Sequence, residues 1–223
     1  MGTEVSVQLY RQGDYEPHFP ERLCFALVAL GGRYSAERYG QYSISDPDGA
    51  FETVMEDDIH EATERLADIL GEFRDRDGAN QFSVSLDYPD ACFPVTHVFS
   101  EREHGSVLTF QAHTADIGGE SSFLRFVDLC TDVFDRFGFD HGGFYRDIYD
   151  DVPADPDEFL AERIEGLRLY SPALAERVGY DRLRPAPAYQ VTELANGGVS
   201  VLVCADALGN CPNTDEVNDH LQR

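Results

Sequence analysis

YQVTEL (Tyr189 to Leu194), ANGG (Ala195 to Gly198) and VSVLVC (Val199 to Cys204) form the stretch on which the fold turns. Two runs rich in strand-forming residues flank an Asn-Gly pair, the strongest short-range signal for a two-stranded hairpin. A hairpin requires antiparallel neighbours, so the sheet it belongs to is expected to be mainly antiparallel. Upstream, Val5, Val7 and Leu9 alternate with Ser6 and Gln8, and Phe82, Val84 and Leu86 alternate with Ser83 and Ser85. Period two is the mark of half-buried strands, with one face expected in water. A further strand is expected over Ser106 to Ala112.

Helical periods fall between these strands. Ile59, Ala62, Leu66, Ile69, Leu70 and Phe73 share one stripe, with Asp57 and Asp58 available to cap its start and Glu61 and Arg65 paired at i, i+4. Phe123, Phe126, Val127, Cys130, Val133, Phe134 and Phe137 repeat in the same way, and Gly138 is placed to end that helix. Pro20 to Leu30 reads as a helix closed by Gly31 and Gly32, although Cys24 to Leu30 is apolar on all sides and also fits a strand. These elements predict an α+β fold: a mainly antiparallel sheet, helices packed on one face, and a C-terminal β-hairpin. Its extent is a single domain over residues 1–223, or two subdomains joined near 147–158, where Pro153 and Pro156 interrupt an acidic run.

Composition bounds the surroundings. The chain carries 42 acidic residues against 17 basic ones, none of them lysine, for a net charge of −25 over 223 residues. Such a shell repels itself in dilute buffer, whereas at 1 M salt the Debye length is about 3 Å and the repulsion is screened. Residues 1–111 hold 21 acids and 8 arginines, and residues 112–223 hold 21 and 9, so the charge is spread rather than gathered into a mimic of nucleic acid. The pattern predicts a protein of a halophile's high-salt cytoplasm, with no basic stripe for DNA or RNA and no apolar run long enough for a membrane. The five cysteines (Cys24, Cys92, Cys130, Cys204, Cys211) include no C-x-x-C pair and are expected to be free thiols.

Few residues carry chemistry. His60, Glu61 and Glu64 imitate part of a zinc-protease motif, but helix phase turns them away from the stripe of Ile59, Leu66 and Phe73 and into water. His113 and Asp116 could join His141 or His104 as a two-histidine, one-carboxylate metal site, and the set His113, Asp116 and His141 would make the chain a small metal-dependent hydrolase. Strand-end histidines are otherwise ordinary surface residues. The loop from Gly118 to Ser122 could face an anion, though a plain helix start explains it equally well and Glu120 would repel a phosphate. There is no G-x-S-x-G, P-loop or G-x-G-x-x-G motif.

Residues Arg168 to Gly179 (RLYSPALAERVG), with Leu183, Ala186-Pro187 and the hairpin around Gly197-Gly198, resemble the closing segment of immunity proteins of bacterial polymorphic toxin systems, the immunity protein fifty-two type. The stretch from Phe137 to Gly143 is similar to the middle of related immunity families. The resemblance implies stoichiometric binding that blocks a protein toxin, with no catalytic residue and no cofactor. A partner surface would then combine acids with aromatics, as Tyr145, Asp147, Tyr149, Asp150 and Asp151 do in one short window. An exposed patch is required by this reading, and a converged pocket by the hydrolase reading.

Overall fold

A computed structural model describes residues 3–13, 19–33, 41–45, 51–55, 80–88, 93–102, 104–146, 151–207 and 211–222, together with Asp68 and Gly71. The helix expected over Ile59 to Phe73, including His60, Glu61 and Glu64, lies outside the described residues, as do Asp147, Tyr149 and Asp150. The chain divides into two compact units, one of residues 1–12 with 113–223 and the other of residues 13–112.

In the first unit, strands β1 (Glu4–Gln12), β7 (His141–Tyr145), β8 (Leu167–Tyr170), β10 (Val199–Leu202) and β9 (Gln190–Glu193) lie side by side in that order, every pair antiparallel. The hairpin has the expected place: β9 and β10 are joined through a turn in which Gly197 has φ +89°. Gly198 is there for space, since a Cβ on it would stand 2.5 Å from the backbone oxygen of Tyr170. The long helix α3 (Glu120–Phe137) buries Phe123, Phe126, Val127, Cys130, Val133 and Phe134 as its period predicts, and Gly138 ends it at φ +66°. Phe123 meets Phe144 of β7 edge to face at 5.8 Å, so α3 covers the sheet face that carries Phe144. Strand alternation puts His141, Tyr145, Arg168 and Tyr170 on the other face. There Phe159 of α4 (Pro156–Ala161) packs on His141 and Tyr170. The fold is α+β with a mainly antiparallel sheet and a C-terminal hairpin.

In the second unit, β3 (Phe51–Met55), β2 (Gln41–Ser45), β4 (Gln81–Tyr88), β5 (Phe93–Arg102) and β6 (Gly105–His113) follow in that order, the pairs from β3 to β6 antiparallel. The apolar run after Pro20 is helix, not strand: α1 (Phe19–Ala29) buries Phe19, Leu23, Cys24 and Leu27, and Gly31 follows at φ +99°. Phe19 lies 5.9 Å from Phe99 of β5.

Two expectations need correcting. The polar faces of the alternating strands meet water only in part: Ser83 of β4 is partly exposed, but its neighbours are not. Ser6 and Gln8 of β1 are buried, and Gln8 accepts the backbone N–H of Val152 at 2.9 Å, while Ser85 of β4 shares a 2.8 Å hydrogen bond with Thr96. Partnered hydroxyls and amides make burial of the second face tolerable. The cysteines are not all free either: Cys204 and Cys211 form a disulfide, and Cys24 and Cys130 are buried thiols. The bonded pair is seven positions apart, a spacing the C-x-x-C criterion does not see. Among the described residues no helix is long and apolar enough to cross a membrane.

Candidate functional site

The histidines and aspartate that could hold a metal do not come together. His113, at the end of β6, is exposed, with its Nε2 3.3 Å from Glu4. Asp116 sits just after it on α2 (Thr114–Ile117), partly exposed. His141 is wholly buried between the rings of Tyr10, at 5.0 Å, and Phe159, at 4.2 Å, and its Nε2 donates to the carbonyl of Pro153 at 2.7 Å. Glu4 and Tyr10 are six residues apart on β1, and at about 3.3 Å per residue the two histidines are held roughly 20 Å from one another. Among the described residues no group of three histidines, cysteines or carboxylates could hold a metal. His141 is a packing residue: desolvation lowers its pKa, partly opposed by the Pro153 hydrogen bond.

The acid and aromatic window is likewise placed differently from an exposed patch. Tyr145 is buried, with its hydroxyl donating to Glu162 at 3.2 Å, and burial pushes its pKa up. Of the described members only Asp151 is exposed. Tyr145 belongs to a buried knot centred on Arg168, which donates to Glu162 Oε2 at 3.1 Å, to the carbonyls of Phe159 at 2.5 Å and Glu162 at 3.0 Å, and lies 3.9 Å over the Phe159 ring. Arg168 is 4% exposed and its donors are turned inward, so it holds α4 to the sheet. A cleft of about 370 Å³ borders the knot, lined by Leu160, Ile164, Arg177, Arg182 and Leu221 among others. The exposed Arg177 is paired with Asp157, and Arg182 reaches the carbonyl of Leu221 at 3.5 Å.

A more open recess lies on the opposite sheet face. Strand β9 is the sheet's outermost strand in the first unit, and α3 runs beside it. Between them runs a groove of about 430 Å³. Leu124, Val127, Leu194 and Leu202 supply its apolar surface, and Asp128, Asp132, Asp135 and Glu193 its charge, with no arginine in the lining. The three aspartates follow from helix phase: at i, i+4 and i+7 they run along one side of the buried stripe. Desolvation, reinforced by the charge of Asp132, raises the pKa of Asp128. The hydroxyl oxygen of Thr131, on the same wall, is shut off from solvent and has no hydrogen-bond partner among the described residues.

Three hydrogen bonds fix the groove's width. At one end Tyr189 donates to Glu120 at 2.9 Å; at the other, Asp135 accepts the backbone N–H of Asn196 at 2.8 Å, and the Asn196 amide donates to the Asp135 carbonyl at 3.2 Å. Fifteen helical residues rise about 22 Å, and the seven residues from Tyr189 to Asn196 span about 20 Å. Helix and strand are therefore matched in length and clamped at both ends. Glu193 is held by Arg184 at 2.6 Å, and Asp132 is 3.9 Å from Arg136, both pairs half exposed. Sequence reading missed this site, although the aspartate spacing on α3 was a visible signal for it.

No family model matches the chain, and no curated protein matches it by sequence. Solved structures do. A T6SS protein of Pseudomonas aeruginosa is similar at a TM-score of 0.55 and 15% identity, with 99% of this chain and 73% of that one covered. A chain from the complex of the toxic C-terminal tip of CdiA from Pseudomonas aeruginosa with an immune protein aligns at a TM-score of 0.37 and 14% identity, covering 68% of this chain and 91% of that one. The chain thus shares the fold of the T6SS protein.

Proposed function

We propose that this chain is a non-catalytic binding protein that holds a protein partner in a stoichiometric complex, an immunity-like role in which the partner is a toxin, and that it works in molar salt. The observation that carries the reading is the recess between α3 and β9, of mixed apolar and acidic lining and fixed at both ends by hydrogen bonds rather than assembled on demand. A preformed recess lowers the ordering cost of association, which is where affinity is otherwise lost. The resemblance of residues 168–204 to immunity proteins supports the same role, and the fold shared with a T6SS protein agrees with it. The acid excess supports the salt habitat. The test is co-purification from the native lysate in 2 M KCl, followed by reconstitution from the two purified components and mass measurement in solution. A 1:1 complex that survives molar KCl is expected. A protein that retains no partner, or that carries one equivalent of bound metal instead, would overturn the reading.

A further inference from the structure

We propose that the cleft beside the Arg168 knot binds a small carboxylate with an apolar body, its carboxylate held by Arg177 and Arg182 and its body lying on Leu160, Ile164, Val178 and Leu221. The site is separate from the recess between α3 and β9 and lies on the other sheet face. Charge is the first observation. The chain holds 42 acidic residues against 17 arginines, yet among the described residues the lining of this cleft holds three arginines and one acid, Glu162. Glu162 is already engaged by Arg168 at 3.1 Å, which leaves Arg177 and Arg182 as the charge a ligand meets. An acid shell spread evenly for solvation gives no reason for such a reversal in one concavity.

Donor capacity is the second. Arg182, exposed on α6 (Tyr180–Leu183), meets one acceptor among the described residues, the carbonyl of Leu221 at 3.5 Å, while a guanidinium has five N–H donors. Arg177, on α5 (Pro172–Val178), places one nitrogen on the exposed Asp157, and its other nitrogens meet no acceptor among the described residues. Shape is the third. The cleft holds about 370 Å³, the size of a small-molecule site, and the side chains around its arginines are largely aliphatic. Its walls are fixed before a ligand arrives. The buried Asn218 of α7 (Thr214–Leu221) accepts the Ile164 N–H at 2.8 Å and donates to the Ile164 carbonyl at 3.0 Å, and His220 Nε2 donates to the Arg182 carbonyl at 2.8 Å. A planar guanidinium can engage a carboxylate through two hydrogen bonds, and a singly charged carboxylate meets less repulsion from a chain of net charge −25 than a doubly charged phosphate does.

The probe is hexanoate, compared with hexanamide and hexylamine, by amide chemical-shift titration of the full chain in 1 M KCl. Arg177→Gln and Arg182→Gln are compared with Arg136→Gln, which removes the same charge from α3 outside the cleft. The expected result is saturable binding of hexanoate alone, with shifts gathered in 160–164, 177–182 and 218–222, weakened at least fivefold by either cleft variant and less than twofold by Arg136→Gln. Both cleft arginines are exposed, so their variants keep the fold, which an unchanged amide spectrum without ligand checks. Hexanamide binding as tightly as hexanoate, equal weakening by all three variants, or a hexanoate titration that never saturates overturns the inference. N-acetyl-dileucine with a free carboxylate separates two sources of the same chemistry: tighter binding than hexanoate assigns the carboxylate to the end of a polypeptide, and weaker binding assigns it to a free small molecule. A chain that binds hexanoate in this way but retains no protein partner keeps this inference and loses the binding reading.

Discussion

Arg168 shows how one side chain can organise a sheet face without taking part in recognition. It sits between Leu167 and Leu169, a sequence position that reads as the outward side of a strand, yet it is buried because Phe159 and Glu162 fold over it. Replacing it with methionine keeps the volume but strips three acceptors of their donor, and we expect a loss of about 3 kcal/mol in urea unfolding. The histidines give a prediction in pH. His97 is buried against Phe110 at 5.0 Å with its Nε2 3.0 Å from the Tyr88 hydroxyl and its Nδ1 without a partner among the described residues, and desolvation lowers its pKa to about 3. His141 is lowered in the same direction. Both are neutral in the folded chain and take up protons near 6.5 once unfolded, so the stability they contribute is complete above that value and drains away as the pH falls, for His97 toward about 3. Each contributes a slope of at most about 1.4 kcal/mol per pH unit. His97→Leu is expected to remove one proton's worth of that slope between pH 6 and 4, whatever it does to stability at pH 8; an unchanged slope would show that the ring titrates normally in the fold.

At the scale of elements, the hairpin and α3 were each legible in the sequence, and their relation was not. Asn196-Gly197 announced the turn, and the phase of Phe123 to Phe134 announced the helix, because both are local signals that tertiary context had no reason to override. The groove depends on where elements some sixty residues apart come to rest, and the clamp from Tyr189 to Glu120 has no local signature. The same limit hid the cover over Ser6 and Gln8, since a polar alternate residue looks identical whether it faces water or a partnered interior. The clamp predicts that Asp135→Ala combined with Tyr189→Phe will speed amide hydrogen exchange in Gln190 to Glu193 by tenfold or more while exchange in β7 and β8 stays unchanged, because an exposed outer strand opens on its own once unpinned. Gly198→Ala is expected to act more severely than Gly197→Ala. The first collides with the Tyr170 backbone, and the second meets only the cost of a left-handed residue, about 1 kcal/mol.

For the molecule as a whole, charge and covalent closure set the conditions of stability. With a net charge of −25, the unfolding free energy is expected to rise steadily from 0.1 to 2 M KCl, by an amount on the order of several kcal/mol, and sucrose at equal osmolality is expected to reproduce only part of it. Reducing the Cys204–Cys211 bond releases a short loop, and the chain-entropy relation sets its contribution at about 2.5 kcal/mol, checked by unfolding with and without reductant and with Cys204→Ser/Cys211→Ser. The composition made the first of these visible from the start, and pairwise cysteine spacing concealed the second. The matched spans between the clamps, Glu120 to Asp135 on the helix and Tyr189 to Asn196 on the hairpin, have a consequence for descent. A two-residue deletion in Gln190 to Glu193 shortens the strand by about 7 Å and pulls Asn196 off Asp135 unless roughly four or five residues leave the helix as well. Lineages that keep the recess should therefore change these two segments together or not at all, and a homologue with a lone gap in either has given up the recess.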